Sequence, residues 1–344
     1  MKDIHPIELE RGFIAKTVPL TEFVEELLQC ISDLMTSLVV TGVQRNGKTT
    51  AMEHIKAKMA SNRSSAFFNA MALTVDPRKR AGRELEAAFW RTFLIRTVED
   101  ARIHFESNYK AFLTAIKVAC DRLDTRHVVI CVDDAQKLTP PMFGYLKQLH
   151  EQLLPEGYQP FFLLIAQPDM PLRMHQLQVD SMHEYIDRFL TNDFRFRGNR
   201  REDLSFFLRH YDTATWPAGS AVTYTQHYAP QLWRAGWRLE HEAGPMWSAF
   251  ETLAKRLGLN TAELEIGTKF LVSACKASLL ALQGGKVERL NHVTWQAAAE
   301  RSGYYKTRLV VGDPEAAAEA ALKEVLWREQ TARNKASKGR ATGA

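Results

Sequence analysis

The stretch SLVVTGVQRNGKTTAMEHI, which begins at Ser37, constrains the fold of this chain more than any other. An apolar run ends at Gly42, and the pattern Gly-x-x-x-x-Gly-Lys-Thr is completed by Gly47, Lys48 and Thr49. The apolar run predicts a buried strand of a parallel sheet, and the residues after the loop predict an amphipathic helix. The chain must therefore place a strand, a glycine-rich turn and a helix in direct succession.

This loop has the chemistry of a phosphate-binding P-loop, and a chance match within a glycine-rich loop is the alternative. Glycines allow left-handed backbone, and the turned N–H groups with the helix N-terminus attract anions. We predict that Lys48 reaches the β- and γ-phosphates of a nucleotide and that the Thr49 hydroxyl binds Mg²⁺. The predicted nucleotide-binding residues of the loop are Gly42, Val43, Gln44, Arg45, Asn46, Gly47, Lys48, Thr49 and Thr50.

A second apolar run, from Val128 to Val132, ends at the paired aspartates Asp133 and Asp134. A P-loop needs a further carboxylate for its metal, and Asp133 fits that Walker-B role. Asp134 would accept a proton from the attacking water as a general base. Alone, such a pair reads equally well as a solvated acidic turn at the end of a strand.

Composition and length favour a cytoplasmic nucleotide enzyme. The 344 residues suffice for two domains, and 45% hydrophobic residues suffice for real cores. The N-terminus lacks the apolar run of a signal peptide, and no apolar stretch is long enough to span a bilayer. Four scattered cysteines without metal-ligand spacing favour reduced, buried thiols.

The net charge of +5 is concentrated at the C-terminus. Five basic residues and one acidic residue lie between Arg328 and Ala344, so this stretch holds +4 of the total. The rest of the chain is nearly neutral, and a nucleic-acid surface there has to be a local patch.

Alternating strand and helix patterns up to about Asn199 predict an open parallel α/β sheet, and the remainder predicts a smaller all-α domain. The stretch 212–247 holds four of the seven tryptophans and predicts an insertion, with its own small core favoured over a partner surface or a base-stacking surface. The predicted segments are a lead-in helix over 1–36, a nucleotide-binding domain over 37–198, a helical lid over 199–310, and a C-terminal helix with a partly disordered basic tail over 311–344.

The order of these features resembles an AAA+ ATPase, with a P-loop, an Asp-Asp strand, a strand with a polar end and a helical lid. The local sequence looks most like the TnsC/TniB branch, the ATP-dependent regulators of DNA transposition. The resemblance covers roughly residues 20–300 and lies in VVTGVQRNGKTT, VVICVDDAQKL, FFLLIAQPD, YIDRFLTNDFRF and GTKFLVSACKASLLALQGGKVERLNHVTW. It implies ATP and Mg²⁺ as cofactors and a homo-oligomer, ring or filament, on double-stranded DNA. It further implies transposase subunits and a target-selection protein as partners, and no membrane.

The resemblance also implies roles for single residues. Gln167 matches a sensor-1 residue that contacts the γ-phosphate or water, with a strand-end amide as the alternative. Arg188 matches the arginine finger that reaches a neighbouring subunit's nucleotide, and Arg195 and Arg197 compete for this role. Lys269 matches a sensor-2 position loosely, and a solvated lysine is the alternative. Asp134 stands where many AAA+ proteins carry glutamate, which predicts slow, switch-like hydrolysis.

A basic cluster after the second predicted strand is the candidate DNA contact, and it consists of Arg78, Lys79, Arg80 and Arg83. Contacts from these residues to phosphates would be independent of sequence and sensitive to salt. The alternative is a solvated helix start, although four like charges there oppose the helix dipole. Other functions that fit the motifs are a STAND-type signalling ATPase, a helicase loader and a P-loop kinase for small molecules.

Overall fold

The computed structural model describes residues 4–9, 12–71, 82–95, 108–217 and 219–341. The chain divides into two compact units, each built from three segments. The first unit comprises Met1–Leu28, Val43–Ile55 and Phe196–Gly312. The second unit comprises Gln29–Gly42, Lys56–Arg195 and Asp313–Ala344.

A five-stranded parallel sheet lies in the second unit, with the strand order β2-β3-β4-β1-β5. The strands are β1 (Ser37–Thr41), β2 (Ala66–Met71), β3 (His127–Asp133), β4 (Gln159–Ala166) and β5 (Asp193–Arg195). The central strands are continuous apolar runs because helices cover both faces of such a sheet. The short edge strand β5 carries no apolar run, so no local pattern predicts it.

Helices alternate with these strands along the chain. They are α1 (Val18–Ser32), α2 (Lys48–Ser61), α3 (Gly82–Ile95), α4 (Asn108–Leu123), α5 (Pro140–Leu153), α6 (Met170–Val179) and α7 (His183–Phe189). The core between the sheet and its helices contains stacked aromatic rings. Phe112 of α4 packs against Trp90 and Phe93 of α3 with ring centroids 5.5 and 4.8 Å apart. These three side chains are fully buried.

A helical bundle forms most of the first unit. Its helices are α8 (Leu204–Thr213), α9 (Tyr224–Tyr228), α10 (Pro230–Arg234), α11 (Ala243–Arg256), α12 (Thr268–Gln283), α13 (His292–Arg301) and α14 (Tyr304–Val311). Phe250, Trp295 and Tyr304 are buried in its core. The predicted fold class, a parallel sheet flanked by helices and followed by a helical region, is confirmed.

The tryptophan-rich stretch 212–247 belongs to the core of this bundle. Tyr228, Leu239 and Trp247 are buried in the same apolar cluster as the residues of α11, α12 and α13. The expectation of a separate small core within this stretch is therefore wrong. Tyr224, Tyr228 and Trp247 are buried in the unit's common core, and Trp216 and Trp237 pack half-buried against it. Short helices such as α9 cannot bury rings on their own.

The described part of the C-terminal segment is helical, in line with the C-terminal helix of the sequence analysis, and the partial disorder of the basic tail stays a prediction. Helix α15 (Pro314–Ala341) begins with a two-bond ion pair between Glu315 and Arg195 of β5, at 2.6 and 3.1 Å. Alanine-rich sequence and an i,i+4 pair between Glu319 and Lys323 favour the helix. Within the described residues, no helix has both the length and the apolar character that a bilayer crossing requires.

Candidate nucleotide-binding site

Three of the predicted groups in the second unit lie at one edge of the sheet. Gly42 follows β1, Asp133 ends β3 and Gln167 follows β4. Strand β4 lies between β3 and β1, and all three strands are parallel. Their carboxyl ends therefore share an edge, which is where open α/β sheets bind ligands.

The P-loop has the backbone conformation that its glycines predict. Gly47 has a φ of +108°, and Arg45 also adopts a left-handed φ of +72°. Lys48 is the first residue of α2, so Thr49 and Thr50 stand in its first turn, where N–H groups point out of the helix. The Lys48 ammonium donates to the Val43 carbonyl at 3.1 Å and so lies over the loop.

Arg45 departs from the expectation that the whole loop serves the nucleotide. Its guanidinium donates to the Thr307 hydroxyl of α14 at 2.6 Å and lies 5.3 Å from the ring centroid of Phe270. Its carbonyl accepts the backbone N–H of Lys269 at 3.1 Å. A side chain at Gly267 would place its Cβ 2.8 Å from this carbonyl, so glycine is required there. The Arg45 side chain thus ties the loop to α12 and α14.

Of the remaining predicted residues in the loop and lid, some are buried and others have exposed side chains. Asn46 is buried and donates to the Phe196 carbonyl at 3.1 Å, so its side chain shapes the loop. Gln44, Thr49 and Thr50 are exposed. Lys269 contacts the loop through its backbone, and its side chain is exposed. Its sensor-2 role stays a prediction.

In the second unit, Asp134 is the centre of a hydrogen-bond network. The amide groups of Gln136 and Gln167 both donate to its Oδ1, each at 3.2 Å. The Lys137 ammonium lies 3.4 Å from Oδ2. The backbone N–H of Asp134 donates to the Asp133 carboxylate at 3.0 Å. Asp134 and Gln167 were predicted site residues, whereas Gln136 was not, although it lies two residues after Asp134 in the string DDAQKL.

Asp134 stays ionised because of these donors. Burial by itself would raise the pKa of this carboxyl, but the hydrogen bonds from Gln167 and Gln136 and the nearby Lys137 ammonium lower it below its ordinary value. Asp134 has a left-handed φ of 57° and begins a short turn over Ala135–Lys137. Aspartate tolerates this conformation because its short side chain bonds locally. The carboxyl group is thus held in the ionised form that a general base requires, and the role of Asp134 as the base stays a prediction.

The three candidate arginines have different surroundings. Arg197 bonds Glu22 and Asp203 and is only 12% exposed, so it holds the first unit together. Burial would lower its pKa, but the bonds with Asp203 and Glu22 outweigh burial and raise it. Arg195 is paired with Glu315, as described above. Arg188, in the last turn of α7, is 28% exposed and donates to Glu151 of α5 at 3.1 Å. The finger role of Arg188 stays a prediction.

The predicted DNA contact falls largely outside the described residues. The structure does not describe residues 72–81, and this range includes Arg78, Lys79 and Arg80. Arg83 is exposed in the first turn of α3.

A family model described as an AAA domain matches residues 33–174. This segment contains the P-loop, the aspartate pair and Gln167, which are the groups that the fold places after β1, β3 and β4. The chain therefore carries an AAA-type P-loop ATPase domain over these residues. No curated protein sequence matches the chain significantly.

Several solved structures are similar to the chain. The ORC1 protein of Aeropyrum pernix in complex with DNA is 11% identical with a TM-score of 0.44, covering 82% of this chain and 64% of that one. Drosophila ORC bound to DNA is 10% identical with a TM-score of 0.42, covering 81% and 44%. Cdc6p of Pyrobaculum aerophilum is 11% identical with a TM-score of 0.39, covering 84% and 80%. This chain spans less than two thirds of the length of the first two.

Proposed function

We propose that this chain is an AAA+ ATPase that regulates DNA transposition by assembling on duplex DNA with ATP and recruiting a transposase. The AAA-domain match supports the ATPase part of this proposal. The resemblance of five separate sequence segments to the TnsC/TniB branch supports the transposition part. A target-selection protein would direct the assembly to its DNA site.

The residues present fit ATP and Mg²⁺ by their chemistry. The left-handed glycine Gly47 and the start of α2 form the backbone of an anion nest, and Lys48 adds a positive charge. Thr49 and Asp133 offer the hydroxyl and carboxylate oxygens that Mg²⁺ prefers. Bound magnesium would neutralise charge on the phosphates.

The Asp134 network is the observation that carries the proposed hydrolysis. A general base needs an ionised carboxylate in a fixed orientation, and the two glutamine amides provide both conditions. Aspartate is shorter than glutamate, so its reach to the attacking water is reduced and hydrolysis is slow. Slow hydrolysis suits a switch that dissolves or trims an assembly.

Arg188 would complete the site of the next subunit. An arginine finger stabilises charge on the transferring phosphoryl group, and its supply in trans makes hydrolysis dependent on assembly. Arg188 is 28% exposed, and its guanidinium contacts Glu151 at 3.1 Å and His150 at 3.4 Å. Reaching a neighbouring subunit would require the side chain to exchange these two contacts. The proposed assembly is a ring or a helical filament on DNA.

Gel filtration with ATPγS, with and without duplex DNA, tests the proposal. We expect the protein to elute as a large species only when both nucleotide and DNA are present. A STAND-type signalling ATPase would assemble with nucleotide alone, and a small-molecule kinase would remain a monomer under all conditions. Electron micrographs of the large species would distinguish a ring from a filament.

A further inference from the structure

Gln136 is almost completely buried beside the aspartate pair, with 8% of its surface exposed. It lies in the short turn over Ala135–Lys137 that follows β3. Both ends of its side-chain amide have a partner: Oε1 accepts the backbone N–H of Gln167, and Nε2 donates to Asp134 Oδ1, each at 3.2 Å. The Gln136 carbonyl also accepts from Arg173 of α6 at 3.2 Å.

The orientation of this amide is fixed by its surroundings. A backbone N–H can only donate, so the atom that faces Gln167 N–H must be the amide oxygen. The NH₂ group is then left to face Asp134, which as a carboxylate can only accept. Rotating the amide by 180° would break both hydrogen bonds. Gln136 therefore holds one orientation of the Asp134 carboxylate.

Gln136 and Gln167 differ in how they can respond to a ligand. Gln167 reaches Asp134 through its side chain, and a rotation of that side chain would remove its hydrogen bond. Gln136 holds Gln167 through the backbone N–H instead, and that bond survives any rotation of the Gln167 side chain. Gln136 can thus keep Asp134 in place while the Gln167 amide turns to another partner.

We propose that Gln136 is a positioning residue for ATP hydrolysis, which holds Asp134 in its catalytic orientation when Gln167 turns towards the γ-phosphate. This inference rests on the proposed function, in which Asp134 is the base and Gln167 contacts the phosphate. Gln136 itself touches neither the nucleotide nor the attacking water. Its contribution falls on turnover and leaves nucleotide affinity unchanged.

The test separates turnover from binding in two variants. Gln136→Met removes both hydrogen bonds at similar volume, and Gln136→Glu retains the acceptor for Gln167 but loses the donor to Asp134. Both variants should lower kcat by about 10–100-fold, the usual effect of losing a residue that orients a reacting group. Their Kd for a fluorescent ATP analogue should stay within roughly threefold of the wild type. Loss of a direct contact with the nucleotide would raise the Kd about tenfold, which corresponds to about 1.4 kcal/mol.

The matched control is Gln176→Met. Gln176 of α6 also donates to a carboxylate, that of Asp180 at 3.0 Å, but on the exposed surface. This variant should keep the wild-type kcat. If both Gln136 variants retain more than half of the wild-type kcat, or if their Kd rises as much as their kcat falls, Gln136 is not a positioning residue.

A double-mutant cycle tests whether Gln136 acts through Asp134. In single-turnover measurements, Gln136→Met should cost little further rate in protein that already carries Asp134→Asn, because the base it positions is gone. An unchanged, fully additive loss would assign Gln136 a structural role. If Asp134→Asn alone retains wild-type turnover, the base assignment of the proposed function fails, and this failure is distinguishable from failure at Gln136.

Discussion

Asp134 has the left-handed backbone of a turn and is also the residue that we propose as the general base. Its left-handed φ would strain most side chains, but aspartate and asparagine visit this region readily. Asparagine also has the same shape as aspartate. The substitution Asp134→Asn therefore preserves the turn and removes only the ability to accept a proton.

We expect Asp134→Asn to bind ATP normally and to lose about 10²-fold or more in turnover, the usual contribution of a general base. Assemblies on DNA should then persist after ATP is added. Phosphate release and the lifetime of DNA-bound protein measure the two effects. Asp180→Asn, at the exposed position directly after α6, is the control. Unchanged turnover in Asp134→Asn would assign the base to another residue.

Lys48 is the P-loop cation that we predict to contact the phosphates, and its ammonium lies over the loop in contact with the Val43 carbonyl. Lys48→Ala should weaken ATP binding at least about tenfold, because hydrogen bonds to charged groups contribute roughly 1.5–3 kcal/mol. Titration with labelled ATP measures this loss. Lys58→Ala, on the exposed surface of the same helix α2, should bind normally. Near-normal affinity in Lys48→Ala would refute the P-loop assignment.

At the scale of elements, the N-terminal segment is bound to the helical bundle of the first unit by aromatic contacts. The His5 ring lies 4.5–4.8 Å, between centroids, from the rings of Trp216, Tyr224, His227 and Tyr228. Only 2% of His5 is exposed. The four rings that surround His5 all belong to the stretch 212–247, so this stretch holds the N-terminal segment in place.

A second histidine fixes the same segment further along the chain. His210 of α8 accepts the backbone N–H of Lys16 at 2.9 Å and stacks on Phe13. Burial, with the charge of His227, lowers the pKa of His5 to about 4. Burial, with the charge of Lys16, lowers the pKa of His210 to about 4. Both rings are neutral in the folded protein at pH 7.

Acid should therefore weaken the first unit. Between about pH 6.5 and 4 the unfolded chain binds protons that the folded histidines do not, so the free energy of unfolding falls as the pH falls. At pH 5 the loss is on the order of 1–2 kcal/mol for each histidine. Urea denaturation at pH 7 and pH 5 measures it.

Two variants test this pH dependence by replacing a histidine with a side chain that does not ionise. Phenylalanine at position 5 keeps an aromatic ring, and glutamine at position 210 keeps a hydrogen-bond acceptor. His5→Phe and His210→Gln should each reduce the difference in stability between pH 7 and pH 5. His183→Gln, which changes an exposed histidine at the start of α7, should leave the difference unchanged. An equal pH dependence in all three variants would show that other groups control it.

At the scale of the whole molecule, ATPase activity should require assembly if Arg188 is an arginine finger, because the residue then acts on the nucleotide of a neighbouring subunit. Arg188→Ala should bind nucleotide almost normally as a monomer and lose ATPase activity, because the lost charge acts on a neighbouring subunit. Mixing this variant with Asp134→Asn protein should restore part of the activity, since some interfaces then contain both intact groups. ATPase assays over a range of mixing ratios measure the rescue, and its absence at every ratio contradicts a finger in trans.

DNA binding should also depend on assembly. The chain apart from its C-terminal stretch is nearly neutral, so a single subunit offers few cations. An array would repeat Lys79 and Arg80 along the DNA backbone, and each neutralised phosphate adds roughly −0.9 to the slope of log affinity against log salt. Lys79→Ala with Arg80→Ala should flatten that slope and weaken all DNA sequences alike.

A chain truncated after Trp327 is the control for this experiment, because it removes the basic stretch from Arg328 onwards. Salt titrations with both proteins separate the two sources of charge. Loss of binding on truncation, with normal binding in the double alanine variant, would assign DNA binding to the C-terminal helix.

The sequence by itself determined the elements that carry the candidate site. The strand, loop and helix around Lys48 follow from an apolar run and glycine spacing, and both are local properties of the chain. The aspartate pair after β3 was visible for the same reason, as was the alternation that gives the parallel sheet. Apolar periodicity records which face of an element is buried.

Only the tertiary structure decided which polar side chains meet. Arg45 bonds Thr307, 262 residues away, and Gln136 bonds Gln167, 31 residues away. The sequence also could not show that Arg197 pairs with Glu22 and Asp203, or that residues of the stretch 212–247 are buried in the common core. Periodicity shows that a face is buried but does not name its partner. A polar side chain finds its partner through packing between distant segments, and no local pattern encodes that packing.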